Sequence, residues 1–516
     1  MYIEPGTNIR LLKDVPLDTT YDHTIYFSSA SAQSSYFMGL QKYSLTNYTY
    51  QRVKRGVARV GIKSDNLYDC NYMMFQNASY GNKWFYAFIT AVEYVNNECS
   101  DVYFELDVMQ TWFFDYEPDY CFVEREHSAT DIIGDNILPE NVNCGEYVYN
   151  GYGKITNVLD PLCVVIMISD TSENPDGTLY DGIYGGCTLF AYNTDDTDSI
   201  RSKLEEYNQK PDAVVGMYMC PVIGTGGAIK TGGLKLLYSA GSHTINITQD
   251  KITDALTLDG YKPKNKKLYT YPYNFLEISG SKSSAIYRYE FFDDLTATLK
   301  IDVPITMPIQ IALRPENYKG SGEQTLNSET LILDDYPMCS WNTDAFRAWL
   351  AQNSIPMAIN LSANPLSGAF TGFALGGPAG AVVGGVIGLA STASQYISQG
   401  YQASIAADIT KGNINSGNID VASGKKTFYG GRCSLNAQYA RMIDDYFTMF
   451  GYATRRSKKP NRNSRPHWNY VKTIGCTITG SVPSDDLKKI CGIYDRGITF
   501  WKKGSEVGNY NLDNTV

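Results

Sequence analysis

The chain has 516 residues, a formal net charge of −10, 43% hydrophobic residues and 19% charged ones. That length exceeds one typical domain and predicts three or four, or one domain with large insertions. The acidic balance argues against a protein whose main task is gripping nucleic acid, while it suits a surface that nucleic acid passes without sticking.

Tyrosine is unusually common, with 41 residues, and Thr, Val and Ile are frequent. Aromatic and β-branched side chains suit pleated, half-buried sheet surfaces, so a β-rich chain is expected. The 11 cysteines are scattered, with no Cys-x-x-Cys pair. Single cysteines in apolar runs, such as Cys163 before Val-Val-Ile-Met-Ile, read as buried free thiols of a protein made in a reducing cytosol. Met1-Tyr2-Ile3-Glu4-Pro5 has neither a basic start nor an apolar core, so no secretory signal is expected.

Strand signals fill residues 1–125. Asn77 to Lys83 reads as a turn and Trp84 to Val95 as a strand. Val102, Phe104, Leu106 and Val108 alternate with Tyr103, Glu105, Asp107 and Met109. That period of two predicts one buried face and one acidic face, with Glu105 and Asp107 together on the latter. Residues 126–345 alternate short strands with Gly, Asp and Asn. Leu162 to Ser169, Ala213 to Val222 and Leu268 to Ile278 are the strand candidates, a density that suits inserted sandwich or barrel domains.

From Ala348 to Ala407 there are 60 residues without Asp, Glu, Lys, Arg or His. Within them Gly368, Gly372, Gly376, Gly380, Gly384 and Gly388 recur every fourth residue, interleaved with Leu366, Phe370, Phe373, Val383, Val386, Ile387 and Leu389. Six glycines on one helical face is the small-residue spacing that lets membrane helices approach closely. In water those glycines cost a helix roughly 6 kcal/mol against alanine, and Pro378 opposes it further. In a bilayer the unsatisfied backbone forces helix formation, and Leu366 to Ile397 is long enough to cross about 30 Å of hydrocarbon. Two readings follow: a conditional membrane segment, or a glycine-rich hairpin packed in a large core.

Residues 411–424 have linker chemistry. Beyond them Ser434 is placed to cap a helix running to Phe450, with Gly451 as its stop. Ser484 is placed to cap a shorter helix ended by Gly492, and Ile498 to Trp501 to form a final strand. The densest positive run is Arg455, Arg456, Lys458, Lys459, Arg462 and Arg465, followed by His467 and Lys472. A nucleic-acid site, an intersubunit contact with acidic neighbours and a solvated loop all fit it.

No phosphate-binding loop, metalloprotease motif, nucleophile elbow or paired-cysteine zinc spacing occurs, and four dispersed histidines support no catalytic site. No enzyme activity, cofactor or metal is expected. Asp170, Ser172, Asn174 and Asp176 place oxygens at alternate positions as a calcium loop does. Pro175 or Ile183 then falls where such a loop needs Gly or a carboxylate, so a plain acidic turn is expected. His127 beside Glu126 is expected to make a structural hydrogen bond.

Several stretches are specific enough to carry a resemblance. They are Met73-Met74-Phe75-Gln76-Asn77-Ala78-Ser79-Tyr80-Gly81-Asn82-Lys83-Trp84-Phe85-Tyr86-Ala87-Phe88, Phe104-Glu105-Leu106-Asp107-Val108-Met109-Gln110-Thr111-Trp112 and Val123-Glu124-Arg125-Glu126-His127. Tyr271-Pro272-Tyr273, Lys458-Lys459-Pro460-Asn461, Asn469-Tyr470-Val471 and Gly497-Ile498-Thr499-Phe500-Trp501 follow in order. The chain resembles the tail knob, or distal tail tube, proteins of small short-tailed phages of Gram-positive bacteria. The resemblance covers both ends well and the middle weakly.

It implies a mainly β fold with a few helices. A barrel or sandwich like that of tail-tube modules would be built from residues 1–125 and 425–516, with residues 126–345 as inserted β-rich domains and 346–410 as a long apolar loop. It also implies a homohexameric tube at the distal end of a virion tail, joined to other tail or collar proteins. Double-stranded DNA would pass its lumen without specific binding. The apolar loops would plug the tube and then enter the host cytoplasmic membrane. Glu105 and Asp107 would then be candidates for the lumen face. Two other classes suit the residues alone: a soluble pore-forming toxin with a glycine-zipper hairpin, monomeric until it meets a membrane, and a glycan-binding receptor-recognition protein.

Overall fold

The computed structural model describes residues 6–48, 56–159, 243–280, 284–303, 310–319 and 428–516, with shorter stretches inside 162–236 and 331–340. The chain divides into two compact units. One comprises Met1–Glu146, Gly260–Tyr273 and Leu435–Val516, and the other Tyr147–Asp259 and Asn274–Ser434. A short internal segment, Gly260–Tyr273, thus joins the two terminal stretches in one unit. The apolar segment, the linker and the acidic 170–177 stretch lie outside the described residues.

The terminal unit contains a six-stranded antiparallel sheet. Its order is Gln41–Tyr48, Thr7–Lys13, Cys70–Gln76, Phe85–Asn96, Cys99–Leu106 and Val57–Val60. Alternation along the strands gives this sheet two apolar faces. Leu12, Tyr72, Met74, Tyr86 and Phe88 enter one core, while Ile9, Leu11, Met73, Ala87 and Val102 enter another. The first core is closed by Phe37 of helix α1 (Ala30–Gly39), Val108 and Met109 of the short helix α2 (Val108–Thr111), and residues from the C-terminal end of the chain.

The chain ends meet in a second sheet, ordered His23–Ile25, Ile498–Trp501, Trp468–Ile474, Cys121–Glu126 and Tyr452–Lys458. His23–Ile25 runs parallel to Ile498–Trp501, and the remaining pairs are antiparallel. Trp468 and Trp501 stand opposite in register, fully buried, with ring centroids 5.0 Å apart. The final strand is where the sequence places it.

Asp444 is one anchor that holds segment Gly260–Tyr273 in this unit. Asp444 accepts hydrogen bonds from the Tyr261 hydroxyl at 2.7 Å, the Lys264 amide at 2.7 Å and both the amide and the side chain of Asn265. Those donors satisfy a charge that burial alone would penalise. The segment ends in a cis Tyr271–Pro272 bond.

In the second unit the described residues form helix α3 (Thr197–Glu206), a two-stranded pairing of Leu179–Tyr180 with Tyr184–Gly185, and three larger antiparallel sheets. One is ordered Tyr147–Lys154, Tyr429–Leu435, Asn274–Ser279 and Ser284–Tyr287. A five-stranded sheet runs Leu234–Leu236, Thr188–Asn193, Leu162–Ile168, Val214–Pro221 and Met338–Ser340. A third runs His243–Lys251, Thr296–Val303, Gln310–Glu316 and Ile332–Asp335. Leu162–Ile168 is central in its sheet and buried from Cys163 to Ile168, which explains its unbroken apolar run. Thr296–Val303 alternates instead, burying Ala297, Leu299, Ile301 and Val303. The mainly β expectation with few helices therefore holds.

Local readings need correction in four places. Leu268 begins no strand, because Lys266–Tyr269 is a 3-10 turn and the strand starts at Asn274. Helix α4 spans Ala437–Phe450 and is capped by Asn436, whose side chain accepts from the Tyr439 amide, while Ser434 lies in a strand. Gly451 does end that helix, at φ +65°. Helix α5 spans Ser484–Arg496 with no side-chain cap; Gly492 is internal, and Gly497 stops the helix at φ +100°.

Of the cysteines, Cys70, Cys121, Cys163 and Cys433 are free and buried, whereas Cys99, Cys144, Cys476 and Cys491 are free and only half-buried. No helix among the described residues is long and apolar enough to cross a membrane.

Candidate functional site

The apolar-loop residues Leu366 to Leu389 lie outside the described residues, whereas Glu105, Asp107 and the basic run fall in the terminal unit. The alternation Val102–Met109 is broken there. Strand Cys99–Leu106 stops and Asp107 becomes the cap of α2, accepting from the Met109 and Gln110 amides at 3.0 and 3.1 Å. Asp107 also accepts from the Tyr72 hydroxyl at 2.8 Å and is 1% exposed. Desolvation raises its pKa to about 6 against those hydrogen bonds. Asp107 therefore does not share an acidic face with Glu105 and cannot line a lumen. The period-two pattern fails because the strand ends at Leu106 and the Asp107 side chain turns to cap α2 and meet Tyr72.

Glu105 is exposed and pairs with Lys489 of α5. The pair stands at a cleft of about 610 Å³ whose walls are aromatic: Phe75, Tyr80, Phe85, Phe104 and Trp112. Lys83 holds its ammonium 3.7 Å from the Trp112 ring centre and 2.6 Å from Asp115, and the Trp112 indole N–H donates to Asp486 at 2.9 Å. The sequence shows these aromatics as strand residues. It gives no sign that α5, nearly 400 positions away, supplies the polar rim.

The basic run divides by environment. Arg455, Arg456 and Lys459 are exposed, and Arg455 sits at φ +45° where the pairing of Tyr452–Lys458 with Cys121–Glu126 shifts register. Lys458 pairs with buried Glu126. Arg462 packs on Phe113 and Tyr116 and reaches Glu117 at 2.7 Å. Arg465 is 2% exposed and donates to the Ser128 and Asn514 carbonyls. Arg465 is therefore an internal clamp and no part of a basic surface, because the loop before Trp468 folds inward.

His127 is buried and structural. Its Nδ1 accepts from the Tyr470 amide at 2.8 Å, which fixes the proton on Nε2, the donor to the Thr448 carbonyl at 3.0 Å. Desolvation lowers its pKa to about 3.

A charged group that sequence reading missed lies nearby. Glu140 is fully enclosed, paired with Arg125 and, at 2.6 Å, with buried Lys267, and it accepts from the Ala453 amide at 2.7 Å. Three segments far apart in sequence meet there, so no local motif announces it. Glu140 and Arg125 also line a cleft of about 290 Å³ with Glu124, Tyr446, Arg455 and Lys472. No group of three or more His, Cys, Asp or Glu among the described residues is arranged to hold a metal ion.

The geometry is thus that of a β-rich scaffold with surface clefts and buried, satisfied charge. Comparison with known proteins agrees. The family described as Bacillus phage phi29, Tail knob protein gp9, C-terminal domain matches residues 235–515, more than half of the chain. The chain belongs to the phi29 gp9 tail knob protein family. Residues 5–117, all within the terminal unit, also match the Caudoviral major tail protein N-terminus. The tail knob protein gp9 of Bacillus phage PZA is 28% identical over 605 aligned positions, and that of Bacillus phage phi29 is 27% identical over 604; each alignment covers 99% of both chains. The structure of the bacteriophage C1 tail knob protein, gp12, superposes with a TM-score of 0.61 at 15% identity over 99% of both chains, a likeness of fold. As a tail knob protein the chain is a structural component of the virion tail.

Proposed function

We propose that this tail knob protein assembles as a homohexameric hollow tube at the tail tip, docked to other tail or collar proteins, and that DNA leaves the virion through it. The segment Leu366–Ile397 plugs the tube and, on ejection, enters the host cytoplasmic membrane as part of a channel. One observation carries the membrane step: a tail knob chain with ordinary charge elsewhere contains 60 consecutive residues without any, with glycine at every fourth position in their middle. Single copies insert marginally, since ten Leu, Ile, Val and Phe residues in that segment favour insertion by only roughly 3–6 kcal/mol. Six copies brought together by a ring remove that weakness.

Glu105 is exposed but shares its charge with Lys489, so by itself it adds little repulsion of phosphate, whereas exposed Arg455, Arg456 and Lys459 support contacts with acidic neighbours.

Dye release from liposomes tests the membrane step. The intact protein is expected to release dye under at least one trigger, and a chain lacking residues 360–400 to release none. Equal release by both under every trigger would sink the proposal. Hollow sixfold rings in negative stain without lipid are expected for the assembly, and featureless single particles would count against it.

A further inference from the structure

Three thiols meet at the turn after strand Trp468–Ile474. Phe122 stands opposite Ile474, and the Asp119 amide donates to the Thr477 carbonyl at 2.8 Å, so Cys121 runs alongside residues 475 and 476. Gly475, at φ +67°, turns the backbone between the two strand segments. The Cys476 amide then donates to Asp495 Oδ1 at 3.0 Å, and the same oxygen takes the Thr473 hydroxyl at 2.7 Å. Asp495 belongs to α5, and Cys491 lies one turn before it on the same face. Cys121 and Cys491 thus flank Cys476, one from the neighbouring strand and one from the helix. All three are free, with Cys121 buried and the other two half-buried.

We propose that Cys476 and Cys491 are an oxidation site, closing to a disulfide when the protein meets a hydroperoxide. The choice of pair follows from access and anchoring. Cys121 is enclosed, whereas the Asp495 bond to the Cys476 amide holds the turn against the helix that carries Cys491. The peroxide first gives one oxygen to the thiolate of Cys491, the less buried of the two, its O–O bond breaks, and water or an alcohol leaves. The Cys476 thiolate then attacks the Cys491 sulfenic sulfur, the S–O bond breaks, and hydroxide leaves as water after taking a proton. Two thiols are oxidised by loss of two hydrogens, and one peroxide is reduced. Burial raises all three thiols above their ordinary pKa, so thiolate is scarce at neutral pH and the reaction is slow there. A chain inside a reducing cell keeps the site open, and a virion outside it does not. The link would tie α5 to the sheet that joins the chain ends.

The test treats the purified full-length protein with hydrogen peroxide, alkylates the remaining thiols and maps the peptides by mass spectrometry. A Cys476–Cys491 peptide pair is expected, reversed by dithiothreitol, forming faster at pH 9 than at pH 7. The oxidised protein is expected to melt about 5 °C higher than the reduced one. Cys121→Ser should still form the link, and Cys491→Ser should not. The wild-type map decides the matter without a variant: no link, a Cys121–Cys476 link, or equal yield from urea-unfolded chain would overturn the proposal.

Discussion

The Tyr72 hydroxyl donates to the Asp107 carboxylate across 2.8 Å, in a place where neither side chain reaches solvent. The carboxyl keeps its partners yet titrates high, at about 6, because desolvation outweighs them. Its folded pKa exceeds the unfolded value near 4, so the neutral form favours the fold. That contribution is complete below about pH 4 and lost as pH rises through 6, a change of about 3 kcal/mol. Asp107→Asn keeps a good helix cap without the charge. The variant should be at least as stable as wild type at pH 7 and flatter between pH 4 and 6. Urea unfolding at four pH values checks this, and a variant more than about 1 kcal/mol weaker at pH 7 would refute the assignment.

His127 acts in the opposite direction. Its folded pKa of about 3 lies below the ordinary value of 6.5, so the unfolded chain takes up a proton that the folded chain refuses. Stability is therefore lost as pH falls from about 6.5 towards 3, by about 4–5 kcal/mol in all. His127→Ala should cost roughly 2–4 kcal/mol at pH 7 through the lost bonds to Thr448 and Tyr470. Its stability should then fall less steeply in acid than that of wild type. Acid titrations followed by tyrosine and tryptophan fluorescence report both slopes, and parallel curves would exclude His127 as the source.

Much of this scaffold is legible in the sequence because it follows local periodicity. Strand Phe85–Asn96, the turn at Ala78–Tyr80 and the last strand stand where aromatic and β-branched runs put them. Legibility fails where a long-range partner decides a residue's role. Asp107 and Glu105 alternate in the sequence, but the strand ends between them and Tyr72, 35 positions before Asp107, meets that residue as a buried cap. Arg465 looks like its basic neighbours until Ser128 and Asn514 are seen to hold it. Helix ends fail for a related reason. Ser434 and Asn436 are both acceptable caps, and the pairing of Tyr429–Leu435 with Asn274–Ser279 takes the serine into the sheet.

Glu140 offers a test of buried charge. Arg125 and Lys267 both rest on it, and Lys267 is itself fully enclosed, with desolvation lowering its pKa. Glu140→Gln would leave two cations facing one neutral amide. Breaking such a group typically costs about 3–5 kcal/mol, far more than an exposed pair is worth. Guanidinium unfolding should show that loss, whereas Glu105→Gln, which breaks only the exposed pair with Lys489, should change stability by less than about 0.5 kcal/mol. Equal effects would mean that Glu140 is solvated in solution.

The basic run separates assembly from stability by the same logic. Arg455, Arg456 and Lys459 are exposed, so reversing all three to glutamate should leave the melting temperature of the dissociated chain within about 2 °C of wild type. If these residues meet acidic neighbours, the reversal sets like charges against each other and weakens association, most strongly at low salt. Arg465→Ala should do the reverse. It removes an internal clamp between Ser128 and Asn514, costing roughly 2–4 kcal/mol, and leaves the exposed basic surface intact. Sedimentation at two ionic strengths, paired with thermal unfolding of each variant, distinguishes the two effects. If the triple reversal sediments as wild type does at both salt concentrations, this strand is not an assembly surface, and the exposed arginines are only solvated charge.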